Sequence, residues 1–534
     1  MRGLDVCRRG LMAGALASGA AFRLGRAAAQ GGPGGPVLVV AADSEPRNLN
    51  PAIVASNGVF YVASKVVEPL AEMSYAAGGL EPRLATAWEG SPDGRSIRFT
   101  LREGVAWHDG RPFTSADVAF SALQVWKPLQ NLGREVFRHL EAVETPDPRT
   151  AVFRFAAPTP FGLVRNALPA LTAVLPRHLY EGTDIAANPA NTRLVGTGPF
   201  RFVEHRPGEF YRLERNPAYW DRGRPALGGI VYRVLPDRAA IAAALEANQI
   251  QLAAFSAVPL ADLARIGRVP GIRVVPGGYE GITYQLTVEI NHRRRELADP
   301  RVRRAIAHAI DRRFVVDTIF LGYAKPSAGP IPHFDTRFHG AAEPDTPFDV
   351  SRANALLDEA GHPRRGGGAR FQLRLLPAPW FEQTRQFGDY LRQALRAVGI
   401  DAVIVNNDAA AHQRAVYTDH AFDLAVGSPV YRNDPAISTT ILYQGGLPPG
   451  VPFSNQYGYD SPAMNGVIAR AAAAIDEGER VRLYGEFQRI AAEDLPLIHV
   501  AEFTFVTVAR DSVRNVATNP RWATSHWADV ELVA

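Results

Sequence analysis

The sequence predicts an α/β protein built from more than one lobe. At 534 residues the chain is too long for one ordinary hydrophobic core. Along it, segments with the two-residue period of half-buried strands alternate with segments carrying a helical apolar stripe. Its 46% hydrophobic and 21% charged residues describe a folded globular protein, neither disordered nor membrane-embedded.

The N-terminus reads as an address. Arg8-Arg9 precede an apolar, Gly/Ala-rich run over 11–22 and the small residues Ala27-Ala28-Ala29. That is the plan of an export signal with cleavage near Ala29, and the run is too short to span a bilayer. The twin arginine resembles a Tat signal more than a Sec one, although Ala13 stands where a Tat signal usually has Lys. Removal of residues 1–29 would take Cys7, the one cysteine, with it. The net charge of +4 also lies within residues 1–30. The remainder is neutral in sum and offers no electrostatic case for nucleic acid or anionic lipid.

Val37-Leu38-Val39-Val40 reads as a buried strand and residues 58–67 as a helix. Ile97, Phe99 and Leu101 alternate with Arg98, Thr100 and Arg102, a half-buried strand between the turns Ser91-Pro92-Asp93-Gly94 and Asp109-Gly110-Arg111-Pro112. Thr114, with Asp117 three residues on, opens a helix whose stripe is Val118, Ala122, Val125 and Trp126. Residues 134–190 read as short strands and Pro-rich loops. Gly196, Gly198 and Pro199 turn the chain ahead of a strand at 210–214, and Asp237 caps a helix within 235–251.

A strand at 282–290 leads to a helix begun by Asp299 and Pro300, with Val302, Ile306, Ala309 and Ile310 on one face. Helices over 348–362 and 381–398 stop at Gly361 and Gly399, and the second feeds a strand at 401–405. A strand at 422–428, a loop at 429–436 and a helix-like segment at 437–443 follow.

The run DGRSIRFTLREGVAWHDGRPFTSADVAFS, preceded by Pro82 to Leu84 and Ala87-Trp88, resembles the signature of the solute-binding proteins of peptide-type ABC importers. This is family 5, which includes oligopeptide, dipeptide and nickel binders. Similar segments follow in order: NPAYW at 216–220, then 297–332 and 494–516. The resemblance implies an α/β, two-lobed periplasmic binding protein (type II, cluster C) with an extra small subdomain in lobe I. It places lobe I over 37–278, lobe II over 279–496 and a return to lobe I over 497–534. Two crossings between lobes would form a hinge.

The same resemblance implies a monomer in the periplasm that captures a peptide or peptide-like solute and delivers it to an ABC permease and ATPase complex. No cofactor is expected. Nickel-chelate and haem binding are minor options within the family. The rivals are a periplasmic hydrolase and a ligand-loaded partner of a chemoreceptor.

By family location the ligand-facing candidates are Asn57, Tyr61, Thr197, Gly198, Trp380, Tyr431, Arg432 and Asp434. Dipeptide-binding members hold a Trp and an Asp in the loop at 429–436, the Asp pairing with the ligand's α-ammonium. Aligned on Asp434-Pro435, those positions are Ser428 and Tyr431 here, so the ammonium anchor is missing. Arg432 suits a carboxylate through paired hydrogen bonds. Its bland alternative is a brace tying the loop to Asp434 or a neighbour, and Asp434 itself reads more readily as a turn acid.

Catalytic patterns are missing. No G-x-S-x-G or H-E-x-x-H occurs, and Val62, Gln124 and Gly322, three before the lysines, exclude S-x-x-K. His333, Asp335 and His339 are close in sequence but sit in a Pro-rich segment, and His412 and His420 are no better spaced.

Overall fold

The computed structural model describes residues 34–533 except 55, 328, 341–345, 365 and 367. The expected export signal, with Cys7, Arg8, Arg9 and the cleavage site near Ala29, lies outside the described residues. No helix among the described residues is long and apolar enough to cross a membrane.

Two seven-stranded sheets organise the two lobes. Val37–Ala42 is central to the first, parallel to Gly229–Val234 on one side and Leu252–Ala253 on the other. Leu38 and Val40 enter one apolar core while Val39 and Ala41 enter another, so both faces are covered. That is why this strand reads as an unbroken apolar run. Val506–Arg510 and Ile272–Pro276 extend the sheet at one edge, Phe210–Arg215 and Phe200–Arg206 at the other.

The second sheet runs Ala324–Pro326, Leu497–Phe503, Thr283–Ile290, Leu424–Gly427, Phe371–Pro377 and Ile400–Ile404. The short strand Val430–Tyr431 joins it beside Thr283 and Tyr284. Helix Pro300–His308, capped by the Asp299 carboxylate, buries Val302 and Ile306, and helix Glu382–Ala397 buries Phe387, Leu391 and Leu395 in the same core.

A four-stranded sheet of Ala85–Gly90, Ser96–Leu101, Thr150–Phe155 and Leu140–Asp147 forms the small subdomain of the first lobe. Ile97, Phe99 and Leu101 point into its core and Arg98 faces out, as their alternation predicts. The stretch 134–190 holds more helix than its prolines suggested. Phe161–Leu171 starts after Pro160 and contains Pro169. An interior proline costs the helix a hydrogen bond; here burial of Leu163, Val164, Ala167 and Leu168 overrides that penalty.

The chain crosses between the sheets at 277–282 and again at 504–505. The second crossing corrects the expected return at 497. Leu497–Phe503 pairs with Thr283–Ile290 and Ala324–Pro326, and so belongs to the second lobe. Two apolar strands separated by only two residues give no local sign of which sheet takes the first. At the other crossing Gly277 (φ +100°) and Gly278 (φ +80°) take a conformation that residues with a Cβ rarely adopt.

Candidate ligand-binding cleft

Both crossings are packed in aromatic rings. Phe255, Tyr279 and Phe505 meet with centroids 5.3, 5.4 and 5.6 Å apart, and Tyr284 of the second lobe lies 5.4 Å from Phe505. The Tyr279 hydroxyl accepts from the Phe255 amide (2.9 Å) and bonds the Thr507 hydroxyl (2.7 Å). This holds the crossing strands firmly while leaving only two backbone connections between the lobes.

Beyond this hinge lies a cavity of about 590 Å³. Trp88, Asn166 and Pro520 line it from the first lobe, and Phe334, Arg337 and Asn433 from the second. Its far side is closed by Asn166, which is 4% exposed. The Asn166 amide donates to Asp434 Oδ2 (2.9 Å), and Arg337 Nη1 donates to the Asn166 carbonyl oxygen (3.0 Å). Both partners are anchored in the second lobe. Arg480 Nη2 donates to the two Asp434 oxygens at 2.9 and 3.0 Å, and Arg337 pairs with Asp335 at 3.0 Å. Arg165 and Glu477 add an interlobe pair at 3.5 Å, and Ile437 packs into the subdomain core. The lobes are therefore closed on one another.

The sequence-expected residues are scattered by the fold. Asn57 lies at the lobe boundary, its amide 3.5 Å from the Tyr284 hydroxyl across the lobes. Tyr61 does not line it. The ring is buried among Tyr232, Phe255 and Trp527, because the helix Asn57–Ala63 turns that face to the first-lobe core. Thr197 and Gly198 are likewise used inside the first lobe. Thr197 donates to Glu68 (3.0 Å), the Gly198 carbonyl accepts from His108 (2.9 Å) and Asn216 (3.0 Å), and the Gly198 amide donates to Val66 (2.9 Å). Trp380 donates to Ser428 (2.8 Å) and packs on His412 and Phe453, away from the cavity; its neighbour Phe381 meets the hinge rings instead.

In the loop at 429–436, Tyr431 is 1% exposed and its hydroxyl donates to Asp335 (2.6 Å). Burial pushes this phenol well up, with Asp335 and Asp434 adding to the effect. Asp434 is fully buried on Arg480 and Asn166 and accepts from the Ala436 amide (3.0 Å), which starts the helix Pro435–Ser438. Neither is free to meet a ligand. The expected brace between Arg432 and Asp434 is not formed: the partner of Asp434 is Arg480. Arg432 is half-buried and has no hydrogen-bond or ion-pair partner among the described residues.

Nor do the histidines gather a metal. His333 pairs with Glu502 (3.1 Å), His339 with the Ile331 carbonyl (2.8 Å), and Asp335 is taken by Arg337 and Tyr431. Glu72, Glu81 and His526 come close enough to share an ion, but Arg83 already lies 3.8 Å from each carboxylate.

The family model for bacterial extracellular solute-binding proteins, family 5, matches residues 79–448. The chain belongs to that family. This solute-binding protein is 27% identical over 426 residues to the glutathione-binding protein GsiB of Salmonella typhi, covering 78% of this chain and 79% of that one. It is 24% identical over 506 residues to the dipeptide-binding protein of Escherichia coli (strain K12), covering 90% and 92%. Among solved structures, NikA from Brucella suis in complex with Fe(III)-EDTA superposes with a TM-score of 0.81 at 22% identity, over 93% of this chain and 100% of that one. AppA from Bacillus subtilis, in complex with a nonapeptide, gives 0.76 at 21% identity, over 94% and 99%. The two-lobed α/β fold inferred from the sequence is the fold of these proteins.

Sequence reasoning named Asn57 and Asp434 of the interlobe contacts but missed Asn166, Arg337 and Arg480. Asn166 lies on the helix hidden by Pro160 and Pro169, and Arg480 on the helix Glu477–Asp494. Arg337 follows the Pro-rich segment. The one available signal was charge: an arginine at 337, two residues after Asp335.

Proposed function

We propose that this protein is the substrate-binding component of an ABC importer, exported to the periplasm, where it captures a peptide or peptide-like solute between its lobes. The observation that carries the reading is the open cavity of about 590 Å³ lined by both lobes, which are joined by two short crossings. A volume of that size suits a small peptide-like solute. Ligand contacts made with both lobes at once favour the closed form, and only that difference in affinity moves the equilibrium. The closed monomer is then the form that docks on the permease. The family membership and the peptide ligands of the named relatives support the same substrate class.

Within the cleft, Arg432 is the residue assigned to an anionic group of the ligand, and Asn57 to a polar contact from the first lobe. Arg432 has no hydrogen-bond or ion-pair partner among the described residues, and Tyr431, buried against Asp335, leaves no acid for a ligand ammonium at that point. Native mass spectrometry of freshly purified mature protein tests the reading. An intact peptide-like solute carried by a monomer is expected. Conversion of added peptides to products, with no retained ligand, would contradict it.

A further inference from the structure

Arg432 is not alone at the lobe boundary. Tyr431, its predecessor, pairs with Thr283 at the very start of the second-lobe strand, and Gly281, two residues earlier, lies in the first crossing. The Gly281 carbonyl accepts a long bond (3.4 Å) from Arg521 Nη1. Arg521 belongs to the C-terminal segment of the first lobe and is 6% exposed. The residue after Arg432, Asn433, and the residue before Arg521, Pro520, both line the cavity of about 590 Å³. Arg432 and Arg521 thus flank the same few residues of the hinge, one from each lobe, each next in sequence to a residue that lines the cavity.

Among the described residues no carboxylate lies within ion-pair distance of either guanidinium. Glu72, the acid whose charge acts on Arg521, is shared by His526 (3.2 Å) and Arg83 (3.8 Å). Elsewhere in this cleft the arginines are answered: Arg337 by Asp335, Arg480 by Asp434, Arg165 by Glu477. Burial, with Arg432 next, brings Arg521 down to about 10, and burial lowers Arg432 as well. Two like charges brought together out of water repel strongly unless an anion is placed between them.

We propose that Arg432 and Arg521 form a two-lobed clamp that takes one anionic group of the ligand, a carboxylate in a peptide-like solute, and that this anion enables closure. Resting on the capture reading above, it adds Arg521 as a specificity-determining residue. With the cleft empty of an anion, the two guanidinium groups oppose closure. An anion shared between them cancels that opposition and joins the lobes through charge-assisted hydrogen bonds. A solute lacking an anionic group gains no such bonds and is discriminated against.

Inorganic phosphate is the probe. Mature protein stripped of ligand by unfolding and refolding is titrated with phosphate against chloride at equal ionic strength, with melting temperature and radius of gyration as readouts. Wild type is expected to melt higher and become more compact with phosphate. Arg432→Gln and Arg521→Gln are each expected to weaken the response at least tenfold, while Arg521→Lys, which keeps a charge and a donor for the Gly281 carbonyl, retains part of it. Arg432→Gln, which breaks no internal bond, is expected to melt as wild type does without phosphate, so its lost response is not misfolding. No phosphate response in wild type, or a response in either Gln variant as large as in wild type, overturns the clamp. The solute found by native mass spectrometry is an independent test: an intact but non-anionic ligand overturns the clamp while capture stands.

Discussion

Asn166→Ala probes closure away from the hinge. Asn166 sits on the first lobe, and both of its side-chain bonds, to Asp434 at 2.9 Å and from Arg337 at 3.0 Å, reach groups of the second. They exist only when the lobes meet. A hydrogen bond to a charged partner contributes about 1.5–3 kcal/mol. In the open form Asn166 and Arg337 recover water, and Asp434 keeps Arg480. The net loss on closure is then about 2–3 kcal/mol, which is roughly a 30- to 150-fold weaker ligand affinity. Calorimetry with the co-purified ligand reads this directly, and the melting temperature of the ligand-free variant should stay near that of wild type. Because Asn166 also lines the cavity, a double-mutant cycle with Arg337→Gln separates the latch from a ligand contact, with a coupling of about 1 kcal/mol or more expected. An affinity within threefold of wild type, or a loss with no coupling to Arg337, would refute the latch.

Arg480→Met should lower stability in open and closed forms alike. It leaves the fully buried Asp434 without its cation, a change that typically costs about 3–5 kcal/mol, or about 3–5 °C of melting temperature for a chain of this length, and Asp434→Asn in the same chain should restore part of it. The pH dependence follows from histidines kept neutral by burial. His108 and His412 are brought down to about 4 and His499 to about 3, and His108 already accepts at Nδ1 from Gly196 and donates at Nε2 to Gly198. Between pH 6.5 and 4 the unfolded chain binds protons that the native state refuses, so stability falls on acidification by about 2 kcal/mol per histidine at pH 5. Glu289, raised to about 8 by burial, acts oppositely: the native state keeps a proton that the unfolded chain loses above pH 4.5, so stability falls as pH rises towards 8. Thermal melts from pH 5 to 9 should therefore peak near neutrality, and His499→Gln should flatten the acid side.

Much of the fold was legible because local physics and tertiary structure agree. Ile97, Phe99 and Leu101 alternate and are buried; Asp237, Asp299 and Gly399 cap or stop the helices where their side chains and backbone freedom suit them. The cleft was less legible, because it is assembled from residues whose role depends on distant partners. Alternation in the loop after Leu424–Gly427 sends Tyr431 inward to Asp335 and leaves Arg432 at the boundary, and that rotation is set by pairing with Thr283, some 150 residues earlier in the chain. Asn166 was hidden by prolines that tertiary burial overrides. Arg521 lies in a return segment with no periodic pattern, and only the second crossing at 504–505 brings it back to Gly281 in the first crossing.

Capture by closure is tested most directly by small-angle scattering of the mature protein, stripped of ligand and then saturated with its co-purified solute. A smaller radius of gyration with ligand bound is expected, together with loss of that compaction in Asn166→Ala at subsaturating ligand. Equal radii with and without ligand, where calorimetry on the same samples confirms saturation, would contradict it.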